Sequence, residues 1–216
     1  MLMTNGEIKE ALKPGELGID PYDPNRQQPC SYDARVGKEA LVSRNYTLVD
    51  LSKANSITLQ AGDFGLIMTH ETFRLPLNIA ANIGMKSSWA RRGLILLAGM
   101  QIDPGFDAHL RLGLYNSSGR AITIDYLDPI CTIEFHRLAK PAEKGIGPFP
   151  DLKEGRIPEV DKAYLRELES TSLSELGKDL RSLAQSVHTL TTVTYKVILP
   201  ALLAIFVGII ISILFK

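Results

Sequence analysis

Hydrophobic and polar residues keep several different rhythms along this 216-residue chain. From Ser31 to about Leu138, apolar residues fall in short or alternating runs bounded by Gly, Pro, Asn and Asp. Examples are Tyr46–Leu51, Ser56–Leu59, Phe64–Thr69, Leu94–Ala98, Leu110–Tyr115, Ala121–Asp125 and Ile130–Phe135. Short runs at this spacing, with no long helical period among them, predict the strands of an all-β barrel or sandwich. Ahead of them, Glu7–Lys13 has helical spacing and is stopped by Pro14-Gly15, and Asp20–Asn25 is turn chemistry. Pro141–Pro158 is rich in proline and glycine and reads as an extended arm or linker.

From Glu159 the period becomes helical. Leu173, Leu176, Leu180, Leu183, Val187 and Leu190 recur at spacings of three and four, an a/d seam of nearly three heptads. Two readings stand at this point: a parallel coiled coil, or one amphipathic helix lying on the domain or on a membrane. Val197–Phe215 follows, 19 residues of which 16 are hydrophobic and none is charged. As a helix it spans about 28 Å, against a hydrocarbon core of about 30 Å. It predicts one transmembrane helix between Lys196 and Lys216; the competing reading is a buried core helix. The expected organisation is a β domain over 1–140, a linker over 141–158, a helical stalk over 159–195 and a membrane anchor over 196–216.

Composition changes this picture little. The chain is 45% hydrophobic, which excludes a wholly disordered chain, and the apolar tail accounts for part of that figure. Its 24 basic and 24 acidic residues balance, so no nucleic-acid partner is expected. The N-terminus turns polar at once and has no apolar signal region. The expectation is a cytoplasmic main domain anchored in the bilayer by its tail. Cys30 and Cys131 form neither a disulfide framework nor a CxxC site.

Phosphate-loop, dinucleotide and HExxH patterns are absent, and His70, His109, His136 and His188 are scattered. Two segments carry candidate chemistry. In Lys86-Ser87-Ser88-Trp89-Ala90-Arg91-Arg92, hydroxyls and cations lie within about a helical turn, as a polyphosphate requires; a solvated basic turn has the same composition. In Ile102-Asp103-Pro104-Gly105, a carboxylate stands between an apolar strand and a tight turn. There it either activates a water or caps the turn.

The order of these segments resembles the dCTP deaminase and dUTPase superfamily, and most closely the dCTP deaminase branch. Gln28-Pro29-Cys30-Ser31-Tyr32-Asp33-Ala34-Arg35-Val36-Gly37 is similar to that branch's "QPxSxDxRLG". Lys86–Leu94 is similar to "RSSLARLGL", and Ile102–Phe106 and Leu112–Asn116 follow in family order. The resemblance implies a dUTPase-like β-barrel or sandwich of β-clip type. It also implies a homotrimer with sites between subunits, and a deoxynucleoside triphosphate bound with Mg²⁺. Ser87, Ser88 and Arg91 then match phosphate-binding positions, Lys86 replaces the motif's first Arg, and Asp103 matches the aspartate that positions water in dUTPases.

Departures from the family pattern bear on the reaction. The deaminases carry a glutamate, their general base, where this chain has Gly113. The family's "PGMxIGQL" becomes Tyr126–Ile133, losing its turn glycine to Leu127 and its glutamine to Thr132. The glycine-rich arm of dUTPases is echoed only by Lys144–Phe149. Ordinary dCTP deamination is therefore not expected. Three functions follow: a membrane-anchored dUTPase-like pyrophosphatase using Asp103, an inactive nucleotide sensor signalling to the membrane helix in stress or defence, or a scaffold without ligand. A deaminase using a non-standard base is a further alternative.

Overall fold

Thr4 and Glu7 begin the first element of the computed structural model, which describes residues 1–12, 16–169 and 173–214. The Glu7 N–H donates to the Thr4 hydroxyl at 3.4 Å, and the Thr4 N–H donates to the Glu7 carboxylate at 2.8 Å. This reciprocal cap starts α1 (Asn5–Ala11) two residues before the expected Glu7, and burial of Ile8 and Ala11 fixes its inner face.

The strands that follow are β1 (Gly18–Asp20), β2 (Gln27–Gln28), β3 (Ser31–Val42), β4 (Thr47–Asp50), β5 (Ser56–Leu59), β6 (Phe64–Arg74), β7 (Ile79–Met85), β8 (Leu94–Leu97), β9 (Gln101–Ile102), β10 (Asp107–Asn116), β11 (Ile122–Asp125) and β12 (Pro129–Arg137). One-turn helices α2 (Leu51–Ala54) and α3 (Ser87–Ala90) interrupt them. The architecture is mainly β, as the runs predict. One antiparallel sheet has the order β8-β10-β6-β3-β12-β7-β9, with β1 on β6 and β2 and β4 on β3; β5 and β11 form a separate pair. Alternation sets the core: β10 turns Ala108, Leu110, Leu112 and Leu114 inward.

β3 and β7 lie outside the expected apolar runs. β3 carries Asp33, Arg35, Lys38 and Glu39, which break its alternation, yet it is central to the sheet. It pairs with β12 through Tyr32–Arg35 and with β6 and β4 beyond, and its pairing with β6 shifts register between Val36 and Ala40. Gly37 sits in that irregularity, where a Cβ would stand 2.7 Å from the Thr69 carbonyl carbon, so only glycine lets β3 approach β6 so closely. The buried Glu71 carboxylate locks the crossing. It accepts from the Arg35 backbone N–H at 2.8 Å and from Arg35 Nε at 2.6 Å.

The region expected as linker and stalk divides differently. The chain forms two units, Met1–Thr171 and Ser172–Lys216. α4 (Pro150–Lys153) and α5 (Glu159–Glu169) belong to the first. Ile157 and Leu165 are 2% and 3% exposed and pack with Leu41 and Met68. Glu39 accepts the Ile157 N–H, Arg111 pairs with Asp161, and Lys153 reaches Asp107 at 2.6 Å. The proline- and glycine-rich text thus describes a strap fastened to β3 and β10, because its few apolar residues find a groove in the sheet.

The second unit contains α6 (Leu173–Val193), a π-helical turn (Thr194–Ile198) and α7 (Leu199–Leu214). Asp179–Ile209 is one helix long and apolar enough to cross a membrane, and an 18-residue window within it has a mean hydropathy of 2.0. Leu180, Leu183, Val187 and Leu190 of the heptad seam are exposed within this unit. The side chains of Leu173 and Leu176, and the residues Phe215 and Lys216, lie outside the described residues.

Candidate functional site

The turn after β7 is held from below. Trp89, 6% exposed, donates its indole N–H to the Pro129 carbonyl at 2.9 Å, and the Lys86 N–H donates to the Ile130 carbonyl at 3.2 Å. Anchoring Trp89 inward leaves Ser87, Ser88, Arg91 and Arg92 exposed on the rest of the turn. The Arg92 guanidinium stacks over the Trp89 ring, 4.8 Å from its centroid. Lys86 behaves differently from its neighbours. Its ammonium pairs with Asp33, which also accepts from Gln28 Nε2 at 3.2 Å. The two charged residues of separate motifs therefore neutralise each other, and Arg91, the other cation of the expected phosphate set, has no acidic partner among the described residues.

Asp103 follows β9 on a partly buried turn. Gly105, at φ +84°, makes the turn, and its N–H donates to the Leu75 carbonyl at 2.9 Å. The Asp103 carboxylate does not cap this turn. It accepts from Gln101 Nε2, and its other oxygen has no partner among the described residues. Residues of the glycine-containing arm lie on the same turn. The Ile146 N–H donates to the Pro104 carbonyl at 2.9 Å, and the Phe149 ring meets Phe106 at 5.5 Å.

One chain keeps the two segments apart. Ile102 pairs with Ala81, so Asp103 stands level with Ala80, and Lys86 is six residues further along β7. At ~3.3 Å per residue that is about 20 Å. Gly113 lies on a third element. It pairs with Leu66 of β6 and Leu97 of β8, and a Cβ there would stand 3.2 Å from Leu97 Cβ and press against the Leu97 carbonyl. The expected loss of a base at this position coincides with a close approach of two backbones. Thr132 bonds Ser31 Oγ at 3.0 Å, and Leu127 holds φ +66°, the left-handed backbone that favours glycine.

A cavity of about 520 Å³ lies under the strap and is lined by Lys38, His70, His109, Gly155 and Arg156 among others. His109 Nδ1 faces the Thr69 carbonyl at 2.9 Å and, because a carbonyl only accepts, carries the proton. Burial, then the charge of Arg35, holds His70 below its ordinary value of 6.5. A histidine depressed by folding takes up its proton first in the unfolded chain. Its contribution to stability is present above about pH 6.5 and is lost as pH falls through the window below it. Denaturation midpoints at about pH 5 and pH 8 should differ less in His70→Gln than in the parent.

The chain is 34% identical to the dCTP deaminase of Pyrococcus abyssi over 143 residues, 66% of this chain and 88% of that protein. It is 34% identical to the dUMP-forming dCTP deaminase of Corynebacterium efficiens over 185 residues, 76% of this chain and 95% of that one. The crystal structure of 2'-deoxycytidine 5'-triphosphate deaminase from Agrobacterium tumefaciens matches with a TM-score of 0.54 at 21% identity, covering 62% of this chain and 47% of that one; the likeness shows the fold. The model of the dCTP deaminase-like family matches residues 2–138, the stretch that holds α1, the twelve strands of the described residues and Lys86, Ser87, Ser88, Arg91, Asp103 and Gly113, so the chain belongs to the dCTP deaminase-like family.

Proposed function

We propose that this chain is a membrane-anchored protein that binds a deoxynucleoside triphosphate and does not deaminate dCTP. The observation that carries the reading is the α3 turn. Ser87, Ser88 and Arg91 stand exposed together on a backbone fixed by Trp89, in a chain of this family. Two hydroxyls and a guanidinium supply donors for phosphate oxygens, and bidentate Arg–phosphate pairs are the strong ones. Among the described residues no group of three or more His, Cys, Asp or Glu is placed to hold a metal. Mg²⁺ is proposed to enter with the triphosphate, whose oxygens and water it prefers to an all-protein cage.

Asp103 is the candidate for chemistry. Its free carboxylate oxygen accepts a proton from a water that attacks the α-phosphorus, and pyrophosphate leaves, as in a dUTPase-type reaction. About 20 Å separates Asp103 from Lys86 on one chain, so a site containing both draws them from two copies. A homotrimer closes three such sites. The exposed apolar residues Ile95, Leu97 and Met100, along and just beyond the edge strand β8, suit such a contact.

The test uses the full chain in nonionic detergent with each dNTP and Mg²⁺, following binding, pyrophosphate and ammonia. Binding is expected with each competent nucleotide, without ammonia. Asp103→Ala should retain binding and lose about 10²–10⁴-fold in pyrophosphate release. Ammonia from dCTP would sink the reading of Gly113, and no binding of any dNTP would sink the proposal. A sensor without catalysis is the second reading, favoured by one observation. β10, which carries Gly113, also holds the strap through Arg111–Asp161 and Asp107–Lys153, and the strap leads in sequence to α6. Binding of dNTP with no pyrophosphate, in parent and Asp103→Ala alike, selects it. The tail is proposed to cross the bilayer once, with the β unit cytoplasmic; protease protection in sealed vesicles checks the orientation.

A further inference from the structure

Arginines are ion-paired over much of the first unit: Arg35 with Glu71, Arg44 with Asp63, Arg111 with Asp161. Arg91, Arg92 and Arg120 depart from this together. They line a single surface cavity of about 650 Å³ whose other lining residues include Ser118 and Thr123 but no carboxylate. Among the described residues, none of the three guanidiniums has an acidic partner. In a chain of zero net charge, three such cations around one hollow are a local concentration, and the hollow is of small-ligand size.

The cations are mounted on two segments tied to each other. The Ser117 N–H and hydroxyl both donate to the Gly93 carbonyl, at 2.9 and 2.8 Å. A Cβ on Gly93, at φ +91°, would stand 2.8 Å from Ser118 Cβ, so the turn that carries Arg91 and Arg92 lies against the 117–118 backbone. The buried Asn116 donates through Nδ2 to the Leu59 carbonyl at 2.9 Å and to the Arg120 carbonyl at 2.7 Å, and Ser118 Oγ donates to Asn116 Oδ1 at 2.7 Å. Arg92 is held over the Trp89 ring. The backbone under all three charges is ordered before any ligand arrives, which lowers the entropic cost of binding.

We propose that Arg91, Arg92 and Arg120 form a binding site for a chain of linked phosphates. Guanidinium groups grip phosphate oxygens in pairs, and three of them with no competing carboxylate match successive phosphates better than one small monoanion. The site shares Arg91 with the nucleotide proposal and otherwise stands apart from it, since Arg92 and Arg120 lie outside the Lys86–Ser88 set.

The probe is inorganic tripolyphosphate, titrated calorimetrically into the full chain in nonionic detergent at low ionic strength, with orthophosphate and dCTP alongside. Tripolyphosphate should bind at least about tenfold more tightly than orthophosphate, and less tightly as salt rises. Arg120→Gln and Arg92→Gln should each weaken it about tenfold, one charge-assisted contact. Lys53→Gln, which removes the same charge from an exposed side chain outside the cavity lining, should leave it unchanged. The proposal is overturned if tripolyphosphate does not bind at concentrations up to roughly 1 mM, or if the two arginine variants bind like Lys53→Gln. If tripolyphosphate binds and is weakened by Arg120→Gln while dCTP and the other dNTPs do not bind, the anion site stands and the nucleotide proposal falls.

Discussion

Glu71→Ala lowers the stability of the β unit by about 3–5 kcal/mol, the usual result of breaking a buried ion pair from one side. Glu71 is fully buried and the Arg35 side chain is 12% exposed. The carboxylate satisfies Arg35 twice, through its backbone N–H and its Nε, and also receives the Tyr32 hydroxyl at 3.4 Å. Burial raises the Tyr32 hydroxyl to about 12, so it donates across the whole accessible pH range. Alanine removes the acceptor of the Arg35 N–H, the Arg35 Nε and the Tyr32 hydroxyl, and leaves the guanidinium only the Pro21 carbonyl at 3.3 Å and the Asp23 carboxylate at 3.8 Å. At about 2–4 °C per kcal/mol for a unit of this size, the thermal midpoint should fall by roughly 10 °C. The double variant Arg35→Met, Glu71→Met should recover part of the loss, because it removes the orphaned charge. Near-UV circular dichroism during thermal unfolding follows the β unit. An unchanged midpoint in Glu71→Ala would mean that the β3–β6 crossing is held by something else.

That ion pair also shows where the sequence was legible and where it was not. The alternating runs at Ser56–Leu59, Leu94–Ala98 and Ala121–Asp125 coincide with strands to within a residue, since each buries one face by itself. β3 does not read as a strand because its buried Asp33 and half-buried Arg35 are compensated by Lys86 and Glu71, 53 and 36 residues away. Pairing at that separation leaves no local trace. The same holds for Lys86, whose charge suggests a phosphate contact until Asp33 is seen beside it. The strap reads as a linker because prolines and glycines dominate it, yet Ile157 and Leu165 are enough to seat it on Leu41 and Met68. Of the arginine cavity, Arg91-Arg92 was visible as a basic pair. Arg120 was not, since it arrives from the far side of a turn tied to Gly93. Ser87, Ser88 and Asp103 were legible as types in an order, but their separation along β7 required the strand register.

Gly113→Glu does not create a deaminase. The substitution restores the residue type that the resemblance places at this position, and a base there ordinarily contributes ~10²–10⁴-fold in rate. In this chain the position is occupied differently. Gly113 faces Leu97 across the β10–β8 pair, and any Cβ presses on the Leu97 carbonyl and lies 3.2 Å from its Cβ. Among the described residues β8 is an edge strand paired in the sheet through four pairs with β10, so it yields before β10 does. Overpacking of this kind costs about 1–3 kcal/mol. Gly113→Ala should lose nearly as much as Gly113→Glu, because the first carbon is the one that collides. Peeling β8 also loosens the Gly93 turn that precedes it and carries Arg91, so phosphate binding should weaken in both variants. The expected record is therefore no ammonia from dCTP in parent, Gly113→Ala or Gly113→Glu, with thermal midpoints lowered by several degrees in both variants. Ammonia release by Gly113→Glu at an unchanged midpoint would show that β8 already leaves room for the side chain, and that one substitution separates this chain from an active deaminase.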